Sequence, residues 1–131
     1  MRAQFLLLVE DEALIRLDLV QVLEDRGYVV ADYADGPPAM AEVDRRDEIS
    51  GLITDINLGS DVDGWEVARH TRTKFPGIPV VYISGDSVAN WPDEGVPNSL
   101  ILQKPFADNE IVSALSTLLG EGTAASRPSA G

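Results

Sequence analysis

The sequence predicts an α/β fold, a doubly wound sheet of five parallel strands with helices on both faces. Three observations carry this prediction. Short apolar runs and amphipathic stretches alternate five times along the 131 residues, and such alternation builds a parallel sheet covered on both sides. The first run, "QFLLLV", is apolar throughout, as strands buried on both faces are. Charged and hydroxyl side chains then fall where the runs end, at the carboxyl edge where such sheets keep their working residues.

Each element has its own signal. Residues 4–9 form the first strand, and residues 12–26 follow with Leu14, Leu17, Val20 and Leu23 at helical spacing, stopped by Gly27. "YVVADYA" (28–34) is rich in β-formers, and a second helix opens at Gly36-Pro37-Pro38, where proline suits a first turn, and runs to Arg46. Residues 49–54 are the third strand, and 63–75 a helix closed by Pro76-Gly77. "PVVYIS" (79–84) and "SLILQ" (99–103) are strands four and five. The segment between them, "GDSVANWPDEGVPN", holds two prolines and two glycines and leaves room for at most a short or irregular fourth helix. Residues 108–119 close the domain as an amphipathic helix, with Asp108 expected as N-cap and Ile111, Leu115 and Leu118 facing inward. The domain therefore spans 1–119, and the small, polar residues 120–131 are expected to be a disordered tail.

Composition excludes several functions. The chain has no cysteine and a single histidine, which removes disulfides, thiolate chemistry and multi-histidine metal sites. A net charge of −12 opposes binding to nucleic acid or an anionic membrane surface. The five apolar residues that open the chain are too few for a signal peptide or a membrane span, so the expected location is the cytoplasm.

At the strand ends stand Glu10 and Asp11, Asp55, Ser84, and Lys104 with Pro105. The fold brings them to one rim. Three carboxylates that close raise each other's proton affinity, and a hard cation such as Mg²⁺ relieves the repulsion. With Mg²⁺ and Lys104 the site suits a tetrahedral oxyanion such as a phosphoryl group. Asp55 is then a competent nucleophile toward phosphorus, with Ser84 donating to an equatorial oxygen.

Taken singly, each residue also has a plain reading. Glu10 and Asp11 could favour a helix dipole, Ser84 could form a turn before Gly85, and Lys104 could be solvated. His70 reads as exposed and Trp65 as an anchor of the third helix on the sheet. Trp91 reads as a core plug or as an exposed partner contact.

Together, the acid pair after strand one, "TDINL" with Asp63-Gly64 behind it, "YISG" and "KPF" resemble the receiver domain of two-component response regulators over residues 4–119. The resemblance implies the flavodoxin-like strand order 2-1-3-4-5. It implies that Asp55 accepts a phosphoryl group from a sensor histidine kinase or a histidine phosphotransfer protein. Glu10, Asp11, Asp55 and the backbone carbonyl of Asn57 would ligate Mg²⁺. Ser84 would be the switch hydroxyl, Lys104 the salt-bridging partner of the phosphoryl group, and Pro105 a cis-peptide proline that aims the lysine inward. "YISG" partly resembles the Phe-Ala-Thr-Gly variant of stand-alone alphaproteobacterial receivers. Gly59 replaces a usual proline, the loop to Gly64 is one residue longer, and Ile101 stands where an aromatic switch residue is common.

Three rival functions fit the residues less well. A haloacid-dehalogenase-like phosphatase carries its nucleophile on the first strand with a second aspartate two residues on, where this chain has Asn57. A flavin or nucleotide binder needs a small, phosphate-friendly loop where "VEDEAL" stands. A pseudo-receiver that binds without phosphorylation would not need the full residue set. The expectation is a stand-alone signalling switch, monomeric or weakly dimeric. It is not an enzyme beyond slow autodephosphorylation, and it acts by shifting a protein-binding surface of the fourth helix, fifth strand and fifth helix or by passing phosphate along a relay.

Overall fold

Strand β1 (Phe5–Val9) is apolar at every position because its two faces feed different cores. The computed structural model describes residues 3–86 and 88–120 of the chain. Leu7 and Val9 pack on one side of the sheet, Leu6 and Leu8 on the other. Strands β2 (Val29–Tyr33), β3 (Gly51–Asp55), β4 (Val80–Ser84) and β5 (Ser99–Gln103) complete a parallel sheet in the order β2-β1-β3-β4-β5. The fold class and strand order are those expected. Every residue of β3 and of β4 is buried, so both strands lie between helix layers.

Register sets the rim. Val9 pairs with Thr54, Asp55 with Ile83, and Ser84 with Gln103, so Glu10, Asp55, Ser84 and Lys104 all reach the same edge. Helices α1 (Ala13–Asp25) and α5 (Asp108–Leu119) cover one face, and α2 (Gly36–Arg45) and α3 (Gly64–Lys74) the other. Trp65 anchors α3 as expected, its ring 4.7 Å from that of Tyr82. Between β4 and β5 the chain makes one 3₁₀ turn (Val88–Asn90) and one α-turn, α4 (Trp91–Glu94). The expected tail lies outside the described residues, Gly120 excepted.

Three local expectations need correction, and one open choice is decided. The buried residues of α1 are Leu19 and Leu23, whereas Leu14 and Leu17 are 84% and 60% exposed. An i, i+4 stripe through Ile15, Leu19 and Leu23 meets the sheet instead. At α5 the cap position is Ala107, not Asp108: Glu110 folds back so that its Oε1 accepts the Ala107 N–H at 2.7 Å. His70 is half-buried and paired with Asp44 at 2.8 Å, bridging α3 to α2. Of the two readings of Trp91 the core plug holds: it is half-buried against the core, and its Nε1 donates to Ser99 Oγ at 2.9 Å.

Candidate functional site

The end of β3 is fixed by a close approach. A Cβ on Gly64 would lie 2.1 Å from the carbonyl oxygen of Asp55. Only glycine lets α3 begin there, and the Gly64 N–H donates to Ile56 O at 2.8 Å. Asp63 caps the same helix by accepting from Glu66 N at 2.9 Å. The first turn of α3 thus holds the Asp55 backbone at the rim.

Around Asp55 the carboxylates converge. Glu10, Asp11 and Asp55 each offer an oxygen within 4.8 Å of the other two. Glu10 is fully buried and Asp55 nearly so, while Asp11 is exposed. Glu10 Oε2 accepts the Glu12 N–H at 3.0 Å, but Glu10 Oε1 is buried without a hydrogen bond. Its charge is met by the Lys104 ammonium at 3.2 Å, and a buried anionic oxygen with no hydrogen bond is costly. Three converging hard oxygen donors, one of them buried without a hydrogen bond, fit a divalent cation such as Mg²⁺.

Lys104 follows β5 and reaches back over this cluster. Its Nζ lies 3.1 Å from Asp55 Oδ2, 3.2 Å from Glu10 Oε1 and 2.9 Å from Glu12 Oε1. The Lys104–Pro105 peptide bond is cis. Burial pushes the Glu10 carboxyl up to about 7, helped by the charge of Asp55 and opposed by the Glu12 amide and by Lys104. Burial also raises Asp55, against the bond and charge of Lys104. Burial works against the Lys104 ammonium, yet its bonds to Glu12 and Asp55 and the nearby charges outweigh it and lift Lys104 above its usual range.

A cleft lined by Asp11, Glu12, Asp55, Asn57, Gly85, Asp86 and Lys104 opens above these groups. Asn57 stands at its edge, with Nδ2 donating to Asp86 Oδ1 at 3.0 Å. Ser84 is buried at the end of β4, and its Oγ accepts the Asp86 N–H at 3.1 Å. Sequence reasoning missed Glu12 and Asp86. Both are acids within two positions of residues it singled out, and that adjacency was the only signal. Ile101, which stands where the resembled family commonly has an aromatic, pairs with Tyr82 in the sheet; the Tyr82 hydroxyl accepts the Val96 N–H at 3.1 Å.

Beside the cleft, Leu14, Ile15, Leu19 and Phe106 line an apolar groove between α1 and the turn into α5, with Asp18 and Asp108 at its border. Burial, then the charge and hydrogen bond of Asp108, raise the Asp18 carboxyl. Among the described residues, no helix is long and apolar enough to cross a membrane.

Comparison with known proteins accords with this geometry. A family model described as the response regulator receiver domain matches residues 6–116. The response regulator receiver protein CpdR of Brucella abortus (strain 2308) is 33% identical over 116 residues, covering 87% of this chain and 95% of that protein. Sensor kinase CckA of the same organism is 30% identical over 118 residues, 86% of this chain but only 12% of the kinase. The crystal structure of a response regulator receiver protein from Sinorhizobium medicae WSM419 superposes with a TM-score of 0.88 at 39% identity, covering 91% of this chain and 96% of that one.

Proposed function

The chain belongs to the response regulator receiver family, and on that premise we propose that Asp55 is its phosphoacceptor, taking a phosphoryl group from a phosphohistidine. The observation that carries this reading is the placement of Asp55 at the rim, beside two further carboxylates and under the ammonium of Lys104.

The exchange uses groups already in place. An Asp55 carboxylate oxygen attacks phosphorus while the P–N bond to the imidazole breaks. The imidazole leaves as a neutral ring, because its other nitrogen already carries a proton, and an acyl phosphate remains on Asp55. Lys104 follows the negative charge onto the phosphoryl oxygens, and Ser84 Oγ turns from the Asp86 amide to donate to one of them. Pro105 sets the direction in which the chain leaves Lys104. Glu10, Asp11, Asp55 and the backbone carbonyl of Asn57 would hold a Mg²⁺, which would supply positive charge to offset that of the phosphoryl group. Acyl phosphates hydrolyse, and slow loss of the group resets the switch.

The donor is a sensor histidine kinase or a histidine phosphotransfer protein. Its histidine-bearing helix packs on Leu14 and Leu17, which stand exposed beside the groove next to Lys104. Phosphorylation then biases the loops after β3 and β4 between two arrangements. The surface of α4, β5 and α5 passes the state on to a downstream protein or relay.

Treatment with acetyl phosphate and Mg²⁺ tests the reading. Stoichiometric labelling of the wild-type chain and none of Asp55→Asn is expected. Continuous turnover of a phosphomonoester would instead mark a phosphatase of the haloacid dehalogenase type.

A further inference from the structure

Lys104 is shared among three carboxylates, and the nearest is one that the exchange above does not use. Glu12 Oε1 stands 2.9 Å from Nζ, closer than Asp55 at 3.1 Å or Glu10 at 3.2 Å. Glu10 and Asp55 are buried, whereas the Glu12 side chain is 61% exposed at the mouth of the cleft. The place of Glu12 does not depend on its carboxylate, because its backbone N–H donates to Glu10 Oε2 at 3.0 Å.

We propose that Glu12 is a positioning residue whose carboxylate detains the Lys104 ammonium at the cleft mouth before phosphorylation and releases it as the phosphoryl group arrives. The inference rests on the assignment of Asp55 as acceptor. A phosphoryl group on Asp55 offers the lysine more negative charge than the carboxylate did. To reach it, Lys104 must give up a partner. The pair with Glu12 is the one to break, since an exposed ion pair is screened by water and salt. The four-carbon lysine stem is flexible enough to swing between the two. Until then the Glu12 charge competes with Asp55 for the ammonium that must follow the charge developing during transfer, and so slows it.

The experiment is a double-mutant cycle on the full chain at saturating Mg²⁺, with acetyl phosphate as donor. Glu12→Gln keeps the size and the backbone bond but removes the charge. It should speed labelling by about two- to fivefold, the range open to an exposed pair. Glu12→Asp should stay nearer the wild-type rate. In a Lys104→Gln background the acceleration should vanish, since Glu12 acts through the lysine. The two substitutions should also be non-additive in the unfolding free energy of the unlabelled chain. An unchanged or slower Glu12→Gln, an acceleration that survives without Lys104, or full additivity would overturn the proposal while leaving Asp55 as acceptor. A wild-type chain that takes no label would remove the acceptor assignment, and this inference with it.

Discussion

Lys104 Nζ lies 3.1 Å from Asp55 Oδ2, although 49 residues separate them in the chain. The contact arises because β3 and β5 end at the same rim on either side of β4. Among the described residues that line the cleft, it joins the one cation to the acid that would carry the phosphoryl group. In the resting chain the lysine offsets part of the repulsion among Glu10, Asp11 and Asp55. Glu10 Oε1, which meets Nζ at 3.2 Å but makes no hydrogen bond, is the least compensated oxygen of the cluster.

Mg²⁺ dependence should therefore vary with pH. Burial holds the Glu10 carboxyl at about 7 in the fold against 4.5 unfolded, so the folded chain binds this proton more tightly. Between those values the folded state carries more protons, and metal-free stability falls as pH rises. The loss from this group is on the order of 3 kcal/mol. Asp55 is raised too and acts with the same sign. Because Mg²⁺ competes with the proton, its stabilisation should be small near pH 4.5 and larger above pH 7. Melting curves with and without Mg²⁺ across this range measure it, and a Mg²⁺ effect that is absent or flat with pH would count against the cluster as a metal site.

Gly64→Ala should damage fold and site together. The added methyl carbon would sit 2.1 Å from the Asp55 carbonyl oxygen, which is backbone and cannot rotate away. Overpacking of this kind costs about 1–3 kcal/mol or more, and relief requires the end of β3 to move. A lower denaturation midpoint with slower labelling by acetyl phosphate is expected. A variant as stable and as reactive as the wild type would show that the start of α3 does not position Asp55.

Leu14→Glu should separate donor docking from chemistry. Leu14 is 84% exposed, so the substitution should change stability by less than about 0.5 kcal/mol. Labelling by acetyl phosphate, which needs no docking surface, should stay near the wild-type rate. Transfer from a phosphorylated histidine kinase or phosphotransfer protein should fall about tenfold or more, as loss of an apolar anchor at an interface does. Equal effects on both donors would remove α1 from the docking surface.

The strands and the rim residues were legible because both leave local marks. An unbroken apolar run such as Leu6–Val9 has few uses except a strand between two layers. A carboxylate directly after such a run, as at Glu10 or Asp55, has no place in a core. What escaped was decided by choices the local pattern leaves open. Leucines on α1 lie three and four apart in overlapping stripes, and only the sheet selects Leu19 and Leu23 over Leu14 and Leu17. Ala107 takes the cap position because Glu110 supplies the bond its own side chain lacks. Glu12 meets Lys104 across 92 residues, a contact that no local spacing announces. The Tyr82 bond to Val96 likewise joins β4 to the segment before β5 only once the sheet has formed.

The most direct measurement is mass spectrometry of the intact and digested chain after treatment with acetyl phosphate and Mg²⁺. One added phosphoryl group per chain is expected, carried on Asp55 and lost on standing as an acyl phosphate is. A phosphoryl group mapped to any other residue, or undiminished labelling of Asp55→Asn, would contradict it.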